Sequence, residues 1–190
     1  MTGFRADAVK RLTYEYPSTL EALDKLDHYT RISKCESVVH ELFSVMDLAK
    51  KYNIPEVLPW AFYCCCCNLS VKQICSPTPP YLSREDLQTC LDGREQLLRH
   101  QAKYTFAWLH SDCLSHVVSC NAVKQSLCDK YFRPVPACVA LDCWGSIWHN
   151  GLCRQCTLAA KGSHEAGRKQ IWNKLPSIFG LPEWAEVTDH

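Results

Sequence analysis

Cysteine is the residue type with the most chemical potential in this chain, which has 14 cysteines among 190 residues. The most informative spacing is Cys153-Arg-Gln-Cys156, because two thiolates two residues apart can hold one metal ion. A second pair would complete a tetrahedral site. The candidates for it are Cys113 with Cys120 and Cys138 with Cys143, and the alternative ligands are His116 and His149.

The Cys153/Cys156 pair has three interpretations. It could hold a structural metal, consist of buried free thiols, or act as a redox pair. A thioredoxin-like redox pair belongs to a βαβ setting, which this sequence does not show. A site made of four thiolates would leave no open position for water, so a metal bound there would be structural.

The run Cys64-Cys65-Cys66-Cys67 is predicted to end a buried helix, in which cysteine packs as a small hydrophobic residue. Neighbouring cysteines on a helix point to different sides, which disfavours four ligands to one ion. Metal binding and acylation are the alternatives for this run.

Catalytic motifs are absent from the sequence. It contains no Gly-x-Ser-x-Gly, no Gly-x-x-x-x-Gly-Lys-Ser/Thr, no His-Glu-x-x-His and no Gly-x-Gly-x-x-Gly. We therefore predict a protein that is not an enzyme. The alternatives are a regulatory domain stabilised by zinc at a four-cysteine site and, less favoured, a thiol-dependent enzyme using Cys153 or Cys156.

Composition indicates a folded protein, with 47% hydrophobic and 22% charged residues. The net charge of +1 argues against a nucleic-acid partner. We interpret the basic cluster of Lys161, Arg168, Lys169 and Lys174 as a solvated helix face. The first residues lack the apolar segment of a signal peptide. The longest apolar run, 57–67, is too short to cross a bilayer, so we expect an intracellular protein, cytoplasmic or nuclear, without a membrane partner.

One-sided apolar patterning predicts the best-defined helix, over residues 36–52. Its stripe consists of Val39, Leu42, Phe43, Met46 and Ala49. Val45, Leu48 and Tyr52 widen the stripe, which predicts burial on two sides. Pro55 fits the first turn of a following helix that reaches about Cys67.

Further helices are predicted at 5–14, 84–109, 121–132 and 153–174, the last stopped by Pro176, with a loop containing a helical turn at 20–35. The segment 175–184 is expected to pack back over the helices, and the aromatic residues Trp144, Trp148, Trp172, Phe179 and Trp184 to lie mostly in the core. With no alternating strand, the fold class is mainly α with little or no sheet. The proline-rich segment Ser76–Pro80 predicts a linker at 76–83 between regions 1–75 and 84–190.

Several segments carry a resemblance to a known family. Leu42–Tyr63 is similar to the closing helical pair of a BTB/POZ domain, and 11–20 resembles the middle of that domain. Leu82–Leu98 and Arg168–Trp184 look like the region that follows the BTB domain in basidiomycete (mushroom-type fungal) BTB proteins. The resemblance covers nearly the whole chain and starts part-way through the BTB domain.

The resemblance implies a non-enzymatic protein–protein interaction module with an unidentified protein partner. Region 1–75 would be a helical remnant of the BTB fold, and 84–190 its helical C-terminal extension. The N-terminal half of the domain carries most of the family's homodimer interface, so neither a homodimer nor cullin-type adaptor activity is expected. The partner surface would be the exposed flank of the helices at 36–67 or a groove beside 178–184. The resemblance also favours Cys113, Cys120, Cys153 and Cys156 as ligands of one structural zinc ion.

Overall fold

Regular structure in the computed structural model is helical. The model describes residues 10–26, 38–76, 82–113 and 118–188, and no strand occurs in these ranges, so the mainly α prediction is confirmed. The helices are 10–15 (α1), Leu20–Lys25 (α2), Val38–Lys51 (α3), Leu58–Asn68 (α4), Val71–Ile74 (α5), Arg84–Lys103 (α6), Val118–Tyr131 (α7), Ser146–His149 (α8), Arg154–Ile178 (α9) and Trp184–Thr188 (α10), with short 3₁₀ helices at Pro55–Val57 and Ala107–His110. No helix in these ranges is both long and apolar enough to cross a membrane.

The described residues divide into two compact units. The first lies within Met1–Glu95 and Asn173–His190, and the second within Gln96–Trp172. This division differs from the linker predicted at 76–83, of which 77–81 lie outside the described residues. The reason is physical: prolines mark a local break, whereas units are defined by packing, and the long helices α6 and α9 each contribute residues to both units.

Helix α3 in the first unit follows the predicted apolar stripe. Leu42, Phe43, Met46 and Ala49 are all buried; the side chain of Val39 lies outside the described part. The helix ends as predicted before Asn53, whose φ of 52° is a left-handed conformation that asparagine tolerates better than most residues. Pro55 then opens the 3₁₀ helix that leads into α4.

Burial on two sides of α3 was a wrong prediction. Leu48 and Tyr52 keep 41% and 44% of their surface exposed. An apolar residue beside a stripe is buried only where another element covers it, and none of the described elements covers these two.

Helix α4 is the most completely buried element of the first unit. Residues Leu58–Cys66 are all buried. The first three cysteines of the run therefore pack as core, as predicted, whereas Cys67 is only half-buried. Burial and the nearby Glu41 raise the pKa of the Cys64 thiol, so this thiol stays protonated. Phe62 stacks on Phe179 with 5.3 Å between ring centroids.

The start of α6 is fixed by a capping interaction between Ser83 and Asp86. Ser83 Oγ accepts a hydrogen bond from the Asp86 N–H at 3.1 Å and donates one to Asp86 Oδ2 at 2.8 Å. The Asp86 carboxylate is buried and pairs with Lys50 on α3. The buried side of α6 contains Cys90 and Leu97, whereas Leu87, Leu91 and Leu98 are only half-buried.

An irregular, partly buried segment of the second unit, 137–143, is held by side chains from α6, α8 and α9 and from the turn that follows α6. Its backbone carbonyls accept hydrogen bonds as follows: Ala137 from Gln101, Ala140 from Thr105, Leu141 from Arg168, Asp142 from His164 and Cys143 from Trp148. Gln101 also accepts from the Val139 N–H at 2.9 Å. Buried backbone groups need such partners, and side chains here replace the strand pairing that a sheet would provide.

Helix α9 and its surroundings test three predictions: the stop at Pro176, the solvated basic cluster and the aromatic core. Pro176 lies inside α9 and does not stop it; proline removes one N–H, and the helix continues for two more residues before ending. Arg168 is buried, not solvated, whereas Lys161, Lys169 and Lys174 are exposed. Trp148, Trp172 and Phe179 are core residues as predicted, while Trp144 and Trp184 are only partly buried.

Candidate metal centre

Four cysteines meet in the second unit, each placed next to the end of a helix. Cys113 follows the 3₁₀ helix Ala107–His110, and Cys120 lies in the first turn of α7. Cys153 directly precedes α9, and Cys156 lies in its first turn. Helix N-termini favour negative charge, so three of the four sulfurs are in places that favour the thiolate form.

The four sulfur atoms lie within 4.8 Å of one another, and Sγ of Cys113 and Sγ of Cys156 are 3.6 Å apart. Sulfurs around one tetrahedral zinc ion are about 3.8 Å apart, given Zn–S bonds near 2.3 Å. The four cysteines therefore lie close enough together to bind one metal ion. Cys113, Cys120 and Cys156 are buried and Cys153 is half-buried.

Backbone N–H groups point at two of these sulfurs. Cys153 N–H donates to Cys120 Sγ at 3.2 Å, and Cys156 N–H donates to Cys153 Sγ at 3.5 Å. Cys153 thereby acts as the N-cap of α9 through its sulfur. Such donors stabilise thiolates and fix ligand orientation around a metal.

Without a metal, Cys120 holds a proton that a metal ion would have to displace. The Cys153 N–H hydrogen bond lowers the pKa of Cys120, but burial and the thiol of Cys113 act in the opposite direction, and the pKa is raised. Metal binding at such a site releases protons, which makes its affinity fall as the pH falls.

The alternative ligands from the sequence lie elsewhere. Within the described ranges, no other group of three or more potential ligand side chains comes together. Cys138 is buried away from the cluster, and Cys143 is exposed and accepts from Arg168 at 3.5 Å. His149 stacks on Trp144, with 5.9 Å between centroids. His116 lies outside the described residues.

A second group of thiols, in the first unit, has different properties. Hydrogen bonds from the thiols of Cys65 and Cys66 lower the pKa of Cys90 to about 5. The pKa of Cys65 is raised by the same hydrogen bond and by burial. All three residues are fully buried, so the shared proton network is shielded from solvent reagents. Sequence reasoning missed it because Cys90 is on a different helix.

Three buried cationic or titratable side chains of the second unit were also missed: Lys124, His164 and Arg168. Each donates a hydrogen bond to a backbone carbonyl. The sequence spacing could have indicated two pairs that involve these residues. His164 and Arg168 are four residues apart on α9, and Lys124 is four residues after Cys120 on α7, so each pair shares a helix face.

A cavity of about 310 Å³ opens beside the cysteine cluster within the second unit. Cys156 forms part of its wall, together with Trp108, Ser111 and Lys124. The cluster is thus bordered on one side by a positively charged side chain.

Comparison with known proteins adds no relative: no family model, no curated protein and no solved structure matches this chain. The cysteine cluster was anticipated from sequence as residues 113, 120, 153 and 156, and the structure brings these four together.

Proposed function

We propose that Cys113, Cys120, Cys153 and Cys156 hold one structural zinc ion, and that the chain is a non-enzymatic, zinc-stabilised helical module. The observation that carries this proposal is the approach of four sulfurs to within 4.8 Å of one another. Residues separated by up to 43 positions are brought together there. Cysteines that are buried only as small hydrophobic residues have no reason to converge on one point, as these four sulfurs do.

The donor set favours zinc over other ions. Four soft thiolate ligands in a compact arrangement are typical of zinc or of iron–sulfur sites, whereas calcium and magnesium take oxygen ligands. With four protein ligands, zinc has no open position for water or substrate, so its role would be to support the fold.

The ion would connect three parts of the second unit: the segment before α7, the first turn of α7 and the start of α9. The first two are close in sequence, whereas the start of α9 is reached only through the long connection that contains the rest of α7 and the irregular segment 137–143. A bond network that closes such connections stabilises the folded state, because the binding free energy of the metal is added to that of folding.

The interaction role keeps the BTB/POZ resemblance as its basis and has one supporting observation. Leu48 on α3 and Tyr52, which directly follows the helix and donates its N–H to the Leu48 carbonyl, expose 41% and 44% of their surfaces on one side. A protein partner of the module would bind this face. No catalytic motif in the sequence competes with this role.

Metal analysis tests the zinc proposal. The chain is purified under reducing conditions without chelator, and its zinc and iron are measured by mass spectrometry. We expect one zinc per chain in the wild type and in Cys75→Ser, whose exposed thiol lies outside the cluster. Cys156→Ser should lose the zinc. A wild type without metal, or with iron in its place, would overturn the proposal.

The interaction role has a separate test. Tagged wild type and the double variant L48E/Y52E are used to recover binding partners from cells, and the recovered proteins are compared. A partner that binds the purified wild type at micromolar concentration and not the variant supports the α3 face. Identical binding by both proteins would rule this face out.

A further inference from the structure

Lys124 is a buried lysine without an acidic partner in the described part of the chain. Only 4% of its surface is exposed, and burying an ammonium group is costly unless a negative charge compensates for it. Its Nζ donates to two neutral oxygens, the Ser111 carbonyl at 2.6 Å and the Ser111 hydroxyl at 3.1 Å. Asp112 lines the same cavity, but it is exposed and makes no ion pair with Lys124.

Three of the four proposed ligands are close to Lys124 along the chain or in space. Ser111, which accepts both hydrogen bonds, precedes Cys113 by two residues. Cys120 is one helical turn before Lys124 on the same face of α7, and both are buried. Cys156 lines the cavity that Lys124 also lines. Lys124 therefore links the helix carrying Cys120 to the segment carrying Cys113.

The missing negative charge would be supplied by the metal centre. A zinc ion with four thiolates has a net charge of −2, because four negative ligands surround one divalent cation. We propose that Lys124 is the counter-charge of this centre and the positioning residue of the Cys113 segment. This inference rests on the proposed zinc site and adds a fifth residue to it.

The proposal predicts that zinc affinity depends on the charge at position 124. Mutating the residues that orient metal ligands typically lowers metal affinity by about 10–100-fold. Lys124→Met should weaken zinc binding by a factor in this range, because it removes both the charge and the donors. Lys124→Gln keeps a donor for Ser111 and should still be weakened, whereas Lys124→Arg should remain close to the wild type.

Competition with a chelator of known affinity measures the zinc dissociation constant of each variant. Lys130→Met is the matched control, since Lys130 is an exposed lysine on the same helix, and it should not change the constant. Circular dichroism of each metal-free protein shows whether the variant folds. If Lys124→Met does not fold, Lys124→Gln still tests whether the loss of the positive charge alone weakens zinc binding.

The outcomes distinguish this inference from the proposed function. A wild type that binds no zinc overturns both. If wild type binds zinc and the Gln and Met variants bind it equally well, the zinc site stands and the counter-charge is overturned. An equal loss in the Arg and Met variants would also overturn it, because arginine retains the positive charge.

Discussion

Sγ of Cys113 lies 3.6 Å from Sγ of Cys156, although the two residues are 43 positions apart. Closing a loop of this length costs conformational entropy that the two thiols alone do not recover. Other contacts of the second unit must therefore bring them together, and a metal ion bound between them would strengthen the closure. Packing of the second unit therefore forms the cluster, and a metal ion bound to the cluster would in turn stabilise that packing.

Stability should depend on free zinc. A ligand that binds only the folded state adds about 1.4 kcal/mol to the free energy of unfolding for each tenfold increase in its free concentration above saturation. Urea denaturation in zinc buffers measures this slope. Cys156→Ser should show no slope and Cys75→Ser the wild-type slope. A wild type whose midpoint ignores zinc would contradict the site.

Acid should destabilise the second unit through His164. Burial lowers the pKa of this histidine to about 4, with the Asp142 carbonyl opposing the shift and Arg168 adding to it. The unfolded chain has a histidine pKa near 6.5, so it takes up a proton first as the pH falls. Stability is therefore lost between about pH 6.5 and 4, by about 3 kcal/mol in total.

The variant His164→Gln isolates this effect, because its amide can still donate to the Asp142 carbonyl. Urea denaturation at saturating zinc from pH 7 to 4 should show a smaller loss of stability than in the wild type. Loss of metal at low pH is common to both proteins and cancels in the difference. His110→Gln, at an exposed position, is the control. Equal pH slopes in His164→Gln and wild type would contradict the assignment.

Gly167 on α9 allows a close backbone contact that alanine would not fit. A Cβ at this position would lie 2.4 Å from the carbonyl carbon of Tyr104 and 2.5 Å from the N atom of Thr105. Because these are backbone atoms, the neighbour cannot simply rotate away. Gly167→Ala should lower the free energy of unfolding by about 1–3 kcal/mol.

The same helix provides a matched control at Gly162, where a Cβ would meet nothing within 4 Å. Gly162→Ala should raise stability by up to about 1 kcal/mol, since alanine is the better helix former. Urea midpoints of the two variants should therefore move in opposite directions. If both variants were more stable than the wild type, helix propensity and not the contact with Tyr104 would decide the result at Gly167.

The two faces of α3 should respond differently to truncation. Met46 is fully buried, and Met46→Ala should lower the free energy of unfolding by about 2–5 kcal/mol. Leu48 is exposed, and Leu48→Ala should change it by less than about 0.5 kcal/mol. Denaturation of the purified chain checks both values. A comparable loss at Leu48 would indicate that a second chain covers this face in solution.

Helices with a regular apolar period were predictable from sequence, and α3 with its break at Asn53 is the clearest example. What the pattern could not supply is which flank another element covers, so Leu48 and Tyr52 were misjudged. Spacing also identified the Cys153/Cys156 pair. Its partner cysteines required the long-range packing of the second unit, for which residues alone left two alternatives.

Buried polar side chains were the main omission. Arg168 and His164 are residue types that usually occupy a solvated helix face, and their positions in the apolar pattern of α9 do not indicate burial. Their burial depends on an irregular segment that passes beside them and needs hydrogen-bond donors. Segments without periodicity give no signal of where they run, so the donors facing them cannot be recognised in advance.

Four of the five side chains that donate to carbonyl groups of segment 137–143 occur as two pairs spaced four residues apart, Gln101 with Thr105 and His164 with Arg168. The fifth donor is Trp148. Acceptors on the main chain are present whatever residue occupies the position, whereas donors on side chains are not. Most residues of this segment could therefore change during evolution, whereas the five donor residues would be conserved. A search for distant relatives should therefore weight Gln-x-x-x-Thr and His-x-x-x-Arg, together with the four cysteines, above the residues of the segment itself.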